Sequence, residues 1–177
     1  MRVLIDTNVL LAAILCPNGV AAEAYRLAFC EGNSVLVCDY VIEELKRVVH
    51  WKSSGKYDSQ LTTFISGLML AADAVLVPEE PVEGEVELRD PNDQPILRGA
   101  LVSEADIILS GDKDLLEAGI PYPPVLTPRQ FIDLLEKARR TSSPAPKCRL
   151  LHCIWYLERP SSGGHSLANC DECPPEG

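Results

Sequence analysis

Apolar residues fall in short unbroken runs along the first 140 positions, and most runs are followed by a segment with helical spacing. Residues 2–5 (RVLI), 34–38 (SVLVC), 74–77 (AVLV), 106–109 (DIIL) and 124–126 (PVL) have the length and apolar continuity of buried strands. Between them, 8–15, 20–31, 39–50 and 58–72 have helical composition, broken by Pro17-Asn18-Gly19 and by Gly32-Asn33. Asp39 stands where a helix cap is needed, and Lys52 to Lys56 reads as a basic, polar loop. Asp90-Pro91-Asn92-Asp93 opens a helix to about Ser103, and 113–118 is a short helix. Thr127-Pro128-Arg129-Gln130 is a capping box with proline at the first helical position, starting a last helix to about Arg139. Strands alternating with helices imply βαβ units and a mostly parallel sheet of about five strands, covered on both faces.

This pattern ends near residue 140. TSSPAPK is a Ser/Pro linker, and residues 141–177 have little apolar periodicity. The expected division is an α/β domain over 1–140 and a Ser/Pro/Cys-rich tail over 141–177. In the tail, Cys148-x4-Cys153 and Cys170-x2-Cys173 flank His152 and His165. The CxxC spacing suits one half of a tetrahedral zinc site and the other half is irregular, so a Zn²⁺ site and a disordered appendage both stay open. Ile154-Trp155-Tyr156-Leu157 is an apolar tetrad that could dock on the body or a partner. Cys16, Cys30 and Cys38 lie in apolar segments of the body and read as small buried hydrophobes. No run approaches the roughly 18–20 apolar residues that span a membrane. MRVLIDTN reads as a strand with an acidic end rather than a secretion leader, so the cytoplasm is the expected compartment.

A net charge of −10 argues against broad electrostatic capture of nucleic acid, but not against a nuclease whose negative charge is gathered in a metal site. The glutamate-rich run 79–87 reads as a solvated loop. Arg2, Lys46, Arg47, Lys52, Lys56, Arg98 and Lys113 remain as cations able to meet phosphates.

Four acidic segments follow one another: Asp6-Thr7-Asn8, Glu43-Glu44, Asp90 with Asp93, and Asp112 with Asp114. Each has an ordinary reading as a cap, a turn or a solvated helix start. Each also falls on the carboxyl edge of a predicted strand or just beyond it, where open α/β sheets bind ligands. Carboxylates brought together there repel one another unless a hard cation such as Mg²⁺ or Mn²⁺ is held between them. Glu44 lies at the border of the apolar stripe Val41, Leu45, Val48 and Val49, and Glu43 is turned about 100° away. Asp93 is nearer the helix than Asp90, and Asp112 nearer its strand than Asp114, so Asp6, Glu44, Asp93 and Asp112 form the expected set. Thr7, Asn8 and Ser110 could orient the carboxylates or touch a phosphate.

At this point VLIDTNVLLAAIL, EELKRVV, DPNDQPIL and ADIILSGDKDLL, in that order over residues 1 to about 138, resemble the PIN domain family. They are similar to its VapC-like branch of toxin components of prokaryotic toxin–antitoxin pairs. The resemblance implies a Rossmann-like α/β/α sandwich and a Mg²⁺- or Mn²⁺-dependent ribonuclease leaving 5′-phosphate and 3′-hydroxyl ends. It places the acidic quartet on Asp6, Glu44, Asp93 and Asp112, with Asp114 as a fifth member. Thr7 and Asn8 match the first motif, and Ser110 the hydroxyl residue before the last. It further implies an RNA substrate, a homodimer, and an antitoxin partner docking on the helix 39–50 and the one after it. Asp39 stands where relatives often have Ser, and the tail lies outside the pattern. A haloacid-dehalogenase-type phosphatase would need an acid two residues after Asp6, where Asn8 stands. A catalytically silent PIN-fold binding module is the other alternative, and metal-dependent cleavage would separate it from the enzyme.

Overall fold

The computed structural model describes residues 1–30, 32–53 and 58–141. The expected tail from 142 on, with its cysteines, lies outside them, and Thr141 closes the last helix. Five strands, β1 (Arg2–Ile5), β2 (Ser34–Cys38), β3 (Asp73–Val75), β4 (Ile107–Leu109) and β5 (Val125–Leu126), form one sheet in the order β3-β2-β1-β4-β5. Every neighbouring pair is parallel. Among the described residues, seven helices accompany the sheet: α1 (Thr7–Leu15), α2 (Val20–Ala28), α3 (Asp39–Ser53), α4 (Asp58–Ala71), α5 (Gln94–Val102), α6 (Lys113–Glu117) and, after the last strand, α7 (Pro128–Thr141). This is the expected α/β architecture, with a wholly parallel sheet. α1 packs on α2 and α3, α2 on α7, and α3 on α4 and α5.

The central strands are apolar at nearly every position because both faces are covered. Val3, Leu4, Ile5, Leu36, Cys38, Ile108 and Leu109 have almost no exposed surface. From β1 the chain proceeds outward through β2 to β3, then returns to start β4 on the other side of β1. The strand order therefore reverses between β1 and β4, the place where such sheets open a crevice at their carboxyl ends. Ile5 pairs with Leu109 there, and the Asp6 N–H continues the ladder to the Leu109 carbonyl at 3.0 Å.

Several boundaries differ from expectation. The third strand is Asp73–Val75 rather than 74–77. Leu76 is 80% exposed, and the Val77 N–H donates to Asp39 Oδ1 instead of a sheet carbonyl. That carboxylate also accepts from the Tyr40 N–H, so Asp39 ties the start of α3 to the chain leaving β3. α3 runs to Ser53, which puts Lys52 on the helix; residues 54–57 of the expected loop lie outside the described chain. α2 stops at Ala28, three residues early, where the Phe29 N–H turns back to the Arg26 and Leu27 carbonyls. Cys30 and Cys38 are buried as expected, while Cys16, at the end of α1, is only half-buried. The box at α7 forms as expected: Gln130 N donates to Thr127 Oγ1 at 3.2 Å, and Thr127 N to Gln130 Oε1 at 2.9 Å.

The glutamate-rich segment is solvated at Glu79, Glu80, Glu83 and Glu87 but not at Glu85, whose side chain is 5% exposed. Arg98 Nε and Nη2 both donate to Glu85 Oε1, at 3.2 and 2.9 Å, and Nη1 donates to the Pro78 and Glu79 carbonyls. Gln94 Nε2 adds a bond to Glu85 at 2.6 Å. Arg98 is thus consumed in clamping this loop to α5 and is not a cation available to phosphates, as its place in the sequence suggested. The Arg98 hydrogen bonds, more than any other influence, hold the Glu85 carboxyl below its usual pKa. A depressed pKa stabilises the fold above the unfolded value and loses that contribution as pH falls through the folded one. Glu85→Gln should therefore lower the urea midpoint at pH 7, and the gap to wild type should close as pH falls through the depressed folded pKa.

Gly99 sits inside α5, where glycine costs roughly 1 kcal/mol relative to alanine. Its presence is explained by close approach: a Cβ there would lie 2.3 Å from Cys38 Sγ and 3.2 Å from Val77 Cγ2. Gly99→Ala should destabilise by about 1–3 kcal/mol through overpacking. In urea titrations the double variant Gly99→Ala, Cys38→Ala should cost less than the sum of the two single variants, and simple additivity would reject the contact as the cause.

Candidate active site

Asp6 emerges from β1 as the N-cap of α1, with extended backbone and its side chain accepting from the Thr7 N–H at 2.6 Å. Its other oxygen accepts from Ser110 Oγ, also at 2.6 Å. Ser110 leaves β4 next door and is completely buried. Its hydroxyl donates to Asp6 Oδ2 and accepts from the Asp112 N–H at 2.9 Å and from Asn8 Nδ2 at 3.2 Å. Asn8 Oδ1 accepts from the Gly111 N–H at 3.1 Å. The first and last acidic segments are thus laced together across the β1–β4 seam by one hydroxyl and one amide.

Thr7 Oγ1 donates to Glu44 Oε2 at 2.6 Å, bringing the carboxylate of α3 to the same seam. Glu44 is half-buried and Glu43 exposed, as the helical spacing requires. Tyr40, Glu44 and Arg47 follow at i, i+4 and i+7 on that face, with Arg47 3.8 Å from the Glu44 carboxylate. Asp112 is the N-cap of α6 and accepts from the Asp114 N–H at 2.8 Å.

Asp93 differs from the other two N-cap acids. It occupies the N-cap position of α5, yet its side chain makes no capping hydrogen bond. Asp90 performs the local turn chemistry instead, accepting from the backbone and side-chain N–H groups of Asn92, each at 2.9 Å. The Asp93 carboxylate is left directed among other acids. Its pKa is pushed up to about 6, by desolvation first and then by Asp112, Asp90 and Glu44. Asp6 is pushed up to about 7: burial dominates, the Ser110 and Thr7 hydrogen bonds pull the other way, and Asp93 and Glu44 raise it further. Mutual repulsion links the four expected acids Asp6, Glu44, Asp93 and Asp112 into one electrostatic unit. Among the described residues, the tightest group of carboxylates is Asp90, Asp93 and Asp114, each offering an oxygen within 4.8 Å of the others.

Two members of this neighbourhood were not in the expected set. Asp90 stands three residues before Asp93, close to one helical turn, which was the available signal. Arg89, just before it, pairs with the Asp114 carboxylate. The cations proposed from sequence are differently disposed. Arg2 begins β1, at the opposite edge of the sheet, where Nε bonds the Ser103 carbonyl at 2.9 Å. Lys46 pairs with Glu43 at 2.8 Å, Lys113 is exposed at the start of α6, and the side chains of Lys52 and Lys56 lie outside the described residues.

The donors fit a hard divalent cation. All are carboxylate oxygens, and one carboxylate at a helix start is free of its usual bond.

The PIN domain family model matches residues 2–114. The chain belongs to the PIN domain family. The match opens on β1 and closes on Asp114, so it contains every carboxylate described above. An uncharacterised protein of Methanocaldococcus jannaschii is 30% identical over 146 residues, covering 77% of this chain and 93% of that protein. A chain in the crystal structure of VapBC2 from Rickettsia felis, bound to a DNA fragment from their promoter, superposes with a TM-score of 0.56. It is 18% identical, with 72% of this chain and 98% of that chain covered, a likeness in fold.

In this PIN domain, removing the Ser110 hydroxyl deprives the buried Asp6 carboxylate of a donor and the Asp112 N–H of its acceptor. Ser110→Ala should cost about 1–3 kcal/mol, the penalty for buried polar groups left unpaired. Equilibrium urea unfolding measures it, and a cost near zero would show that the hydroxyl does not tie the segments together.

Proposed function

We propose that this protein is a metal-dependent endoribonuclease, the toxin of a toxin–antitoxin pair, acting in the cytoplasm. The observation that carries the reading is the gathering of Asp6, Glu44, Asp93 and Asp112 at the strand-order reversal, with Asp93 withheld from capping. Asp6, Asp93 and Asp112 would hold Mg²⁺ or Mn²⁺, with Glu44, Asp90 and Asp114 in reach as further oxygen donors. A divalent ion bound there supplies a water of lowered pKa and neutralises charge developing on the phosphate oxygens. Ser110 and Thr7 are buried and spend their hydroxyls on Asp6 and Glu44, so they position carboxylates rather than reach RNA. Asn8, at the position where a phosphoaspartyl mechanism would need an acid, accepts from the Gly111 N–H and fixes that turn in the same way.

An antitoxin partner and a homodimer belong to the same proposal. Trp51 at the end of α3 and Leu70 on α4 are 78% and 88% exposed, apolar surface suited to a partner on the helix pair that the family resemblance points to. Among the described residues, no single helix is long and apolar enough to cross a membrane.

The test is incubation of purified, partner-free protein with mixed RNA pools and Mn²⁺ or Mg²⁺. Cleavage should stop with chelator and fall at least about 100-fold in Asp93→Asn and in Asp6→Asn, the scale of several kcal/mol of lost transition-state stabilisation. Metal binding by calorimetry without cleavage of any RNA class would favour the silent binding module.

A further inference from the structure

Arg89 stands at the edge of the acidic cluster and holds one of its members. It directly precedes Asp90, and its guanidinium is paired with the Asp114 carboxylate, a member of the close triple with Asp90 and Asp93. The Arg89 side chain is 75% exposed and that of Asp114 22%, so the pair lies at the rim of the cluster. Ion pairs this exposed are weak and readily exchanged. Of the nearby cations, Arg98 clamps Glu85 and two carbonyls, Lys46 pairs with Glu43 and Arg47 leans on Glu44, while Lys113 is exposed at the start of α6; Arg89 is the one paired with a member of the close triple.

A guanidinium and a divalent ion compete for the same Asp114 oxygens, and they repel one another if both are present. A divalent ion taken up by Asp90, Asp93 and Asp114 would therefore displace Arg89 towards solvent. There it becomes a planar, permanently charged fork beside a metal site, the group best matched to a phosphate.

We propose that Arg89 is an exchangeable counter-ion of the acidic cluster: it holds Asp114 in the metal-free protein, yields it to a divalent cation, and then binds a phosphate of the nucleic acid. Substrate capture in this chain is thereby conditional on metal loading. The second half of the proposal rests on the nuclease reading, and the first half does not.

The experiment has two arms, each with thermal melting to confirm folding. In the first, Mn²⁺ is titrated by calorimetry into wild type and Arg89→Gln, and Kd for Mn²⁺ should fall about two- to fivefold in the variant as the competing pair is lost. In the second, a short fluorescent single-stranded RNA with phosphorothioate linkages, checked intact after each run, is followed by anisotropy. With saturating Mn²⁺, Arg89→Gln should bind about tenfold more weakly, with its salt slope reduced by about 0.7 for one lost phosphate contact. Without Mn²⁺ the two should bind alike. Asp114→Asn should raise metal-free RNA affinity, and Asp114→Asn with Arg89→Gln should not. Weaker Mn²⁺ binding in Arg89→Gln would overturn the exchange, since Arg89 would then be ordering Asp114 as a ligand. An equal loss of RNA affinity with and without Mn²⁺ would overturn the conditional step. If wild type binds no RNA under any condition, the nuclease reading fails and the phosphate step with it, and the Mn²⁺ arm still decides the exchange.

Discussion

Asp6 places a carboxylate where water has been almost wholly removed, and the rest of the site is arranged around that cost. Burial pushes its pKa up to about 7 despite two short hydrogen bonds that favour the ionised form. Both donors come from the ladder that defines the fold: the Thr7 N–H begins α1 and the Ser110 hydroxyl ends β4. The β1–β4 pairing sets Ile5 opposite Leu109, so the residue after each strand must meet the other. A one-residue slip would turn either side chain to the opposite face and leave Asp6 buried without its second donor. The site is thus a consequence of strand register, and register is enforced by two strands buried on both faces.

The same seam explains why the acids can coexist. A single repulsive pair would be relieved by protonation or by rotation into solvent. Here Asp6 is fixed by two bonds, Glu44 by Thr7, and Asp112 by the Asp114 N–H. Asp93 makes no capping bond, and burial first, then Asp112, Asp90 and Glu44, push its pKa up to about 6. Such an arrangement stores unfavourable electrostatics that a bound cation relieves, and the large apolar core around Leu4, Leu36, Ile108 and Phe131 can carry that cost.

The fold was legible in the sequence because each buried strand is a continuous apolar run, and helices between them carry their own stops. What was misplaced lay at ends, where one hydrogen bond decides. Val77 reads as strand by composition but gives its N–H to Asp39, and Glu85 reads as solvent-facing but is drawn in by an arginine thirteen residues away. The acidic set was legible because Asp6 and Asp112 fall just past strand ends, and Glu44 and Asp93 at or near the starts of helices α3 and α5. The roles of Thr7, Asn8 and Ser110 were not, since a hydroxyl beside a carboxylate can face substrate or structure, and only the β1–β4 crossing shows that Ser110 is sealed in. Arg89 was invisible for a related reason: its partner Asp114 is on the far side of α5 and β4 in sequence.

A chain with net charge −10 must still admit a polyanion if it is a nuclease, and local geometry matters more than the total. Lys46, Arg47, Arg89, Arg98 and Arg140 are each paired with an acid, which lowers long-range attraction and gives short-range contacts more weight in binding. Divalent cations then become the principal local positive charge at the cluster, so affinity for phosphate should follow their occupancy rather than the protein's own field. That dependence is itself a form of selectivity. If the cluster holds such an ion, the patch that would repel a phosphate without metal would become the one that attracts it, at the same carboxylates.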